Sequence, residues 1–435
     1  MKHNFFSSLA EMRSFLILWL GQSFSSLGSA MTGYALVIWS YTSEGSALAT
    51  ALLMVSTYAP YVLLSIFAGA LSDRWNKKAT MLICDAIAAI TTVVVLILLS
   101  TDSLQLWHIY AVNIIGGIMN TVQQPASEVA VTRLLPEKYY QRVGGLRYLS
   151  NSVNTILTPI IATAFMGLFG LHAVLFFDLF TFAAASLTLL IFIKIPENSE
   201  TAASENFISS VKSGISWLRK ESGIFTLILF LAAINLVASM YNAALAPMML
   251  SRSGGSEQAL GIYNTVLGLT TLAGSLIASA MPAPKSRIRV ICNCLLFSMS
   301  FENFLLAFGN NIIIWCIGGV LGWLPIPLMN ANLEAVLRLR IPDHMQGRVY
   351  AVRNSLQFFT IPVGYFIGGA AVDSIFEPIM QTQPPLLTDL FGTGKGSGAA
   401  FFYFILAISG IAVCLIFRRS KKLWQLEQPQ SPTKE

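Results

Sequence analysis

The chain has 435 residues, of which 55% are hydrophobic and only 11% charged, and its mean hydropathy is +0.66. Soluble globular chains carry about 25% charged residues, so this composition excludes a water-soluble enzyme, a disordered chain and a nucleic-acid binder. The formal net charge is +6; with charges this sparse, their positions matter more than their sum.

A bilayer core needs about 20 mostly apolar residues per helix. A backbone in lipid must satisfy its own polar groups, which makes each such run a helix rather than an open strand. Twelve runs follow one another: 14–40, 47–71, 78–100, 105–132, 146–169 and 171–193, then 222–250, 259–281, 288–309, 312–337, 350–373 and 399–417. The first is too long for the apolar core of a signal peptide and is expected to remain as a span. A polar stretch from Ile195 to Ser222 separates six spans from six. The expected organisation is an all-α membrane protein: a six-helix bundle over 1–194, a linker over 195–221, a second six-helix bundle over 222–417 and a tail over 418–435. In the linker, Phe207, Ile208, Val211, Ile215 and Leu218 recur at helical spacing beside Lys212, Arg219 and Lys220. That pattern predicts an amphipathic helix lying on the membrane face. Gln425 to Glu435 is polar and contains proline, and reads as disordered.

Orientation follows from lysine and arginine, which concentrate on the cytoplasmic side. With twelve spans both termini share a side. Of the 27 lysines and arginines, all but Arg252 and Lys395 then fall on that side. A miscounted span would scramble this asymmetry, so it supports the span count and cytoplasmic termini. The halves also share a weak internal similarity. Glu128, Pro136, Arg142, Val143 and Arg147 align with Glu334, Pro342, Arg348, Val349 and Arg353 at one constant offset, each set running from the fourth span of its half into the fifth. A parallel repeat places similarity at equivalent topological positions in this way.

The sharpest motif lies between the second and third spans, Gly69-Ala70-Leu71-Ser72-Asp73-Arg74-Trp75-Asn76-Lys77-Lys78. Gly69 permits close helix approach. Asp73 can accept from helix N-terminal N–H groups or from an arginine, so it can hold two helical units together in one state and release them in another. This motif resembles the signature loop of the major facilitator superfamily, matching at Gly69, Leu71, Asp73, Arg74 and Lys77. Gly21-Gln22 with Ser25 and Gly28, Gly45-Ser46-Ala47, Asp85, Pro125-Ala126, Leu135-Pro136-Glu137 and Asp178 are similar to the branch of macrolide efflux proteins and the enterobactin exporter. The resemblance covers nearly the whole chain. It implies two six-helix bundles around a central cavity, rocker-type alternating access, and a gating role for Gly69, Leu71, Asp73, Arg74, Lys77 and Lys78. Three departures stand out. The equivalent loop of the second half, Ala283 to Arg287, lacks the Asp-Arg core. The fourth span has no lysine or arginine from Trp107 to Val131. The glycine-proline motif of the fifth span is reduced to Pro159. The coupling ion is therefore left open.

Charges inside a membrane are costly and usually functional. Glu302 lies well inside the ninth span and Asp178 about two turns into the sixth. An acid at such depth can exchange a proton as its exposure changes, which makes both candidates for proton coupling; pairing with a neighbouring helix is the alternative for each. Asp85, Glu128 and Glu334 lie near the cytoplasmic ends of their spans, where Arg74, Arg133, Arg142, Arg338 or Arg348 could pair with them as gates. In the resembling fold the first, fourth, seventh and tenth spans line the cavity. Their polar and aromatic residues include Gln22, Tyr34, Asn113, Asn120, Asn235, Tyr241, Asn242 and Asn330. Amides and aromatics without buried cations suit a bulky amphipathic solute, neutral or cationic, whereas a small anion would want arginine or lysine. Any single amide could instead serve as a helix–helix hydrogen bond.

The four histidines are scattered, so no metal site is expected, and no phosphate-binding loop or hydrolase elbow occurs. The five cysteines sit in apolar runs and read as packing residues. No cofactor, nucleic acid or enzymatic activity is expected. The sequence reads as a monomeric, multi-pass cell-membrane exporter of small amphipathic molecules, coupled to protons. A nutrient or lipid transporter on the same fold is the runner-up. A non-transporting sensor would need a soluble output domain for which the cytoplasmic segments are too short.

Overall fold

The computed structural model describes residues 11–72, 75–134, 140–195, 207–252, 254–342 and 346–428. Helix dominates, and no strand occurs among the described residues. The first half holds α1 (Arg13–Glu44), α2 (Ala47–Ser72), α3 (Lys77–Ser100), α4 (Leu106–Leu134) and α5 (Tyr140–Phe192). A short helix, α6 (Phe207–Lys220), follows. The second half holds α7 (Ser222–Ser251), α8 (Glu257–Ala280), α9 (Arg287–Phe308), α10 (Ile312–Trp323) and α11 (Ile326–Arg340). It continues through α12 (Gln346–Phe358), α13 (Thr360–Ala371), a π-helical turn (Val372–Phe376), α14 (Glu377–Gln381), α15 (Pro385–Phe391), α16 (Ser397–Arg418) and α17 (Lys421–Trp424).

Among the described residues, nine helical stretches are long and apolar enough to cross a membrane. One of them, Ser150–Phe192, contains two predicted spans. α5 carries a non-helical residue at Gly170 (φ 76°, ψ −179°), a conformation that glycine adopts freely and other residues resist. The break falls between the fifth and sixth predicted spans. The first and fourth predicted spans are present as α1, with 32 residues, and α4, with 29. Their apolar character is diluted by Gln22, Ser23, Ser25, Ser26 and Ser29 in one, and by Asn113, Asn120, Thr121, Gln123 and Gln124 in the other. The tenth predicted span is broken at Leu324-Pro325 into α10 and α11, since a proline inside a helix removes a donor and crowds the preceding turn.

The chain clusters into two compact units, residues 1–44 with 56–204 and residues 45–55 with 205–435. In the first, α1 packs along α5, and α3 packs on α4 and α5. A core of Met12, Phe15, Leu18, Met81, Ala126, Ala130, Val131, Leu189 and Ile193 joins the lysine-rich ends of these helices. In the second, α7 packs on α13 and α16, while α9 packs on α10, α11 and α16. Leu168, Phe169, Phe176, Phe180, Leu276, Ile313 and Ile416 are exposed on the helix surfaces. In water so much exposed apolar surface would drive association; facing acyl chains it is simply solvated. The protein is therefore a multi-pass membrane protein.

The helix predicted from Phe207 onward forms as α6, which packs along α12. The tail predicted to be disordered from Gln425 is ordered through Gln428. There Leu423 and Leu426 are buried, and Arg340 donates to the carbonyls of Gln425 (3.3 Å), Leu426 (2.6 Å) and Gln428. Glu427 Oε1 accepts from Ser286 Oγ (3.1 Å) and Ile288 N, capping the start of α9. Composition alone underestimated this segment because Leu426 is buried and Glu427 finds specific partners. Residues 429–435 lie outside the described residues.

Candidate functional site

Glu302 sits in the C-terminal half of α9, in a sequence otherwise apolar enough to span lipid. Only 4% of it is exposed. Its Oε1 lies within hydrogen-bond distance of Tyr241 Oη of α7 (2.7 Å) and Tyr263 Oη of α8 (3.0 Å), and it accepts from Trp323 Nε1 of α10 (2.9 Å). The two tyrosine hydroxyls are themselves 2.8 Å apart. Tyr403 Oη of α16 donates to the carbonyl of Tyr241 (2.8 Å) and so fixes α7 from behind. Gly318 and Gly322 let α10 approach: a Cβ at Gly322 would strike the Glu302 carboxyl, and one at Gly318 would meet Leu305 Cβ at 2.9 Å. These glycines are close-packing positions, as their four-residue spacing predicts. Every partner of Glu302 is neutral, and no lysine, arginine or histidine contacts it among the described residues.

The end of α9 is fixed by Arg252, at the close of α7. Its guanidinium is buried and donates to the carbonyls of Leu306 (2.9 Å), Ala307 (3.0 Å) and Phe391 (3.1 Å). The first two are C-terminal carbonyls of α9, which lack intrahelical partners and carry the negative end of the helix dipole. Burial lowers the guanidinium pKa to about 10, which leaves it charged at neutral pH. Arg252 was one of only two cations expected on the lysine-poor side, and its burial explains the exception.

A second buried acid, Asp178, lies in α5 beyond Gly170 and is 2% exposed. Oδ1 accepts from Ser29 Oγ (3.3 Å), and Oδ2 from Thr32 Oγ1 (3.0 Å) of α1 and Thr92 Oγ1 (3.2 Å) of α3. A Cβ at Gly28 would run into Thr181 Oγ1 and lie 3.0 Å from Asp178 Oδ1, so this glycine sets the approach of α1 to the acid.

Asp85 of α3 is buried and accepts from two amides, Gln123 Nε2 (2.6 Å) and Gln22 Nε2 (3.5 Å). The arginine partners expected for it, Arg74, Arg133 and Arg142, have side chains outside the described residues, as does Glu128. Glu334, expected among the same gating pairs, forms an ion pair with Arg353 Nη1 at 3.2 Å; the side chain of Arg348 lies outside the described residues. Arg353, on α12, also donates to Gln357 Oε1 (3.1 Å). Asp73 and Arg74 of the signature loop lie outside the described residues, and Gly69 and Leu71 are described only as backbone of α2. Lys77 is buried and donates to the carbonyl of Trp75 (3.0 Å). Lys78 donates to the carbonyls of Leu190 (2.9 Å) and Ile193 (2.7 Å), where α5 ends.

Residues 18–241 match the Major Facilitator Superfamily. The chain belongs to that superfamily. As a member it resembles macrolide efflux protein A of Streptococcus pyogenes, with 24% identity over 366 residues, covering 83% of this chain and 90% of that protein. The Enterococcus faecalis protein of the same name is also 24% identical, covering 74% of this chain and 99% of its own length. In fold it is similar to the crystal structure of the nucleoside transporter NupG, with a TM-score of 0.65, 13% identity, and 93% and 98% of the two chains covered. It is likewise similar to a D-xylose-proton symporter, with a TM-score of 0.62, 13% identity and the same coverage. Twelve membrane helices in two six-helix bundles are the fold of this superfamily, and the chain is a multi-pass transporter.

In this superfamily member the expected cavity amides divide. Asn120, Asn242 and Asn330 are exposed, although Asn242 also donates to the carbonyl of Ala238 (2.8 Å). Asn113 and Tyr34 are less exposed. Gln22 instead supports Asp85, and Asn235 donates to the carbonyl of Gln357 on α12 (3.2 Å). Tyr241, expected to face a substrate, is 4% exposed and turned to Glu302. Sequence reasoning missed Tyr263, the hydroxyl set around Asp178, and two helix caps at the lysine-poor end of the second unit. There Asp373 accepts from Ser46 Oγ (2.6 Å), Ala47 N (2.9 Å) and Leu48 N (2.8 Å), capping α2. Glu377 accepts from Gly396 N (3.0 Å) and Ala399 N (3.2 Å), capping α16. The signal for the hydroxyl set was Gly28, Ser29 and Thr32 together on one stretch of α1. The others required tertiary contacts that no local pattern encodes.

Proposed function

We propose that the chain is a secondary active exporter of small amphipathic molecules of the drug, macrolide or siderophore type, exchanging substrate for protons by alternating access. Glu302 is the coupling acid, and Asp178 is the second acid able to take part. The observation that carries this is the burial of Glu302 among neutral partners from three other helices. An ionised carboxylate out of water without a cation is strongly disfavoured. Such an acid takes up a proton when sealed and releases it when its surroundings become wet, and that alternation is the elementary step of a proton-driven cycle. Similarity to macrolide efflux proteins supports outward transport and a bulky substrate. The lysine and arginine distribution supports a cell-membrane location with both termini cytoplasmic. In this reading the Asp73 and Arg74 loop latches the cytoplasmic side during the cycle.

The test is efflux of a fluorescent macrolide from cells lacking other pumps. Outward flux is expected to fall at least tenfold in Glu302→Gln and in Asp73→Asn, and to stop when an uncoupler collapses the proton gradient. Flux that survives both the uncoupler and Glu302→Gln would refute proton coupling through this acid.

A further inference from the structure

The oxygens around Glu302 pose a counting problem. Tyr241 Oη, Tyr263 Oη and Glu302 Oε1 form a triangle with edges of 2.8, 2.7 and 3.0 Å. All three are hydrogen-bond distances for O–H···O pairs. Each tyrosine hydroxyl owns a single hydrogen. With an ionised carboxylate the triangle has two hydrogens for three edges. If both tyrosines donate to Oε1, their own oxygens face each other at 2.8 Å without a hydrogen. If Tyr241 donates to Tyr263, its oxygen faces the carboxylate bare across the 2.7 Å edge. A carboxyl hydrogen on Oε1 supplies the missing third. The three groups then form a closed ring in which each oxygen donates once and accepts once, and Oε1 uses its remaining lone pair for Trp323 Nε1–H at 2.9 Å.

The surroundings agree with the count. The elements packed on this carboxyl present Tyr241, Tyr263, Trp323 and, one contact removed, Tyr403, and none of them is cationic. Arg252 is engaged by backbone carbonyls further along α9. Tyr403 gives its hydrogen to the Tyr241 carbonyl and so cannot serve the triangle.

We propose that Glu302 is protonated in this state, and that its proton closes a three-membered hydrogen-bond ring with Tyr241 and Tyr263, making the two tyrosines positioning residues of a built proton site. The proton moves between solvent and the carboxyl oxygen, with no other bond made or broken. When it leaves, one edge of the ring loses its hydrogen, and the tyrosines of α7 and α8 are pushed apart. The proposal rests on the reading of Glu302 as the coupling acid, yet it can fail separately.

The experiment is infrared difference spectroscopy of the purified full-length protein at neutral pH, wild type against Glu302→Gln and against Tyr263→Phe. The carboxylic C=O band of one buried acid is expected in wild type and lost in Glu302→Gln. In Tyr263→Phe the band is expected to persist at a shifted frequency, because the ring has opened; this variant also serves if Glu302→Gln fails to fold. Absence of a protonated-acid band lost in Glu302→Gln overturns the proposal, and so does a band that Tyr263→Phe leaves unmoved. A protonated ring in a protein whose flux ignores the proton gradient would refute the coupling reading alone. Proton-driven flux without the band would refute the ring alone.

Discussion

Arg252 and Gly28 show how single residues set the geometry around Glu302 and Asp178. Arg252 forks three carbonyls, two of them at the end of the helix that carries Glu302. Hydrogen bonds to a charged group contribute about 1.5–3 kcal/mol each, and orphaned buried partners cost more than the bonds were worth. Arg252→Ala is therefore expected to destabilise the second unit by about 2–4 kcal/mol, read as a lower Tm in detergent. Arg252→Lys should recover only part of this, since an ammonium cannot reproduce the planar fork. A Tm unchanged in Arg252→Ala would show that water replaces the guanidinium. Gly28 faces Thr181 and Asp178 so closely that one methyl group has no room. Gly28→Ala is expected to cost about 1–3 kcal/mol through overpacking, whereas the same change at Gly33, where a Cβ meets nothing within 4 Å, should leave Tm unaltered. Equal effects at the two positions would contradict this account of α1.

Elements were legible in the sequence to the extent that lipid dictates them. The apolar runs and the alternation of lysine and arginine marked all twelve spans, including α1 and α4, whose serines and amides hold their hydropathy down. Glu302 was visible as a lone acid in an apolar run. Its partners were not, because Tyr241, Tyr263 and Trp323 arrive from three other helices whose relative rotation a single sequence does not encode. The same holds for the ion pair that Glu334 makes with Arg353 of another helix. The tail was misread because its order depends on Arg340, nearly ninety positions away in sequence, together with Leu423 and Leu426. Arg340→Ala should free that element: backbone amides of 421–428 are expected to exchange at least tenfold faster in hydrogen-exchange mass spectrometry, with α9 beyond its first turn unchanged. Unchanged protection of 421–428 would mean that the leucines alone hold it.

At the scale of the molecule, two of the buried acids, Asp178 and Glu302, sit in separate compact units and in different chemical company. Asp178 is surrounded by aliphatic hydroxyls that can donate or accept, while Glu302 is surrounded by two phenols and an indole whose N–H can only donate. Glu302 thus has the more specialised site and is the better candidate for the coupling step. The most direct check is flux in sealed proteoliposomes with an imposed pH difference, following a macrolide and protons together. The account predicts macrolide movement against proton movement in the wild type, accelerated at least tenfold by the gradient, and neither movement in Glu302→Gln. Macrolide flux of equal rate with and without the gradient, or gradient-driven flux retained in Glu302→Gln, would contradict it.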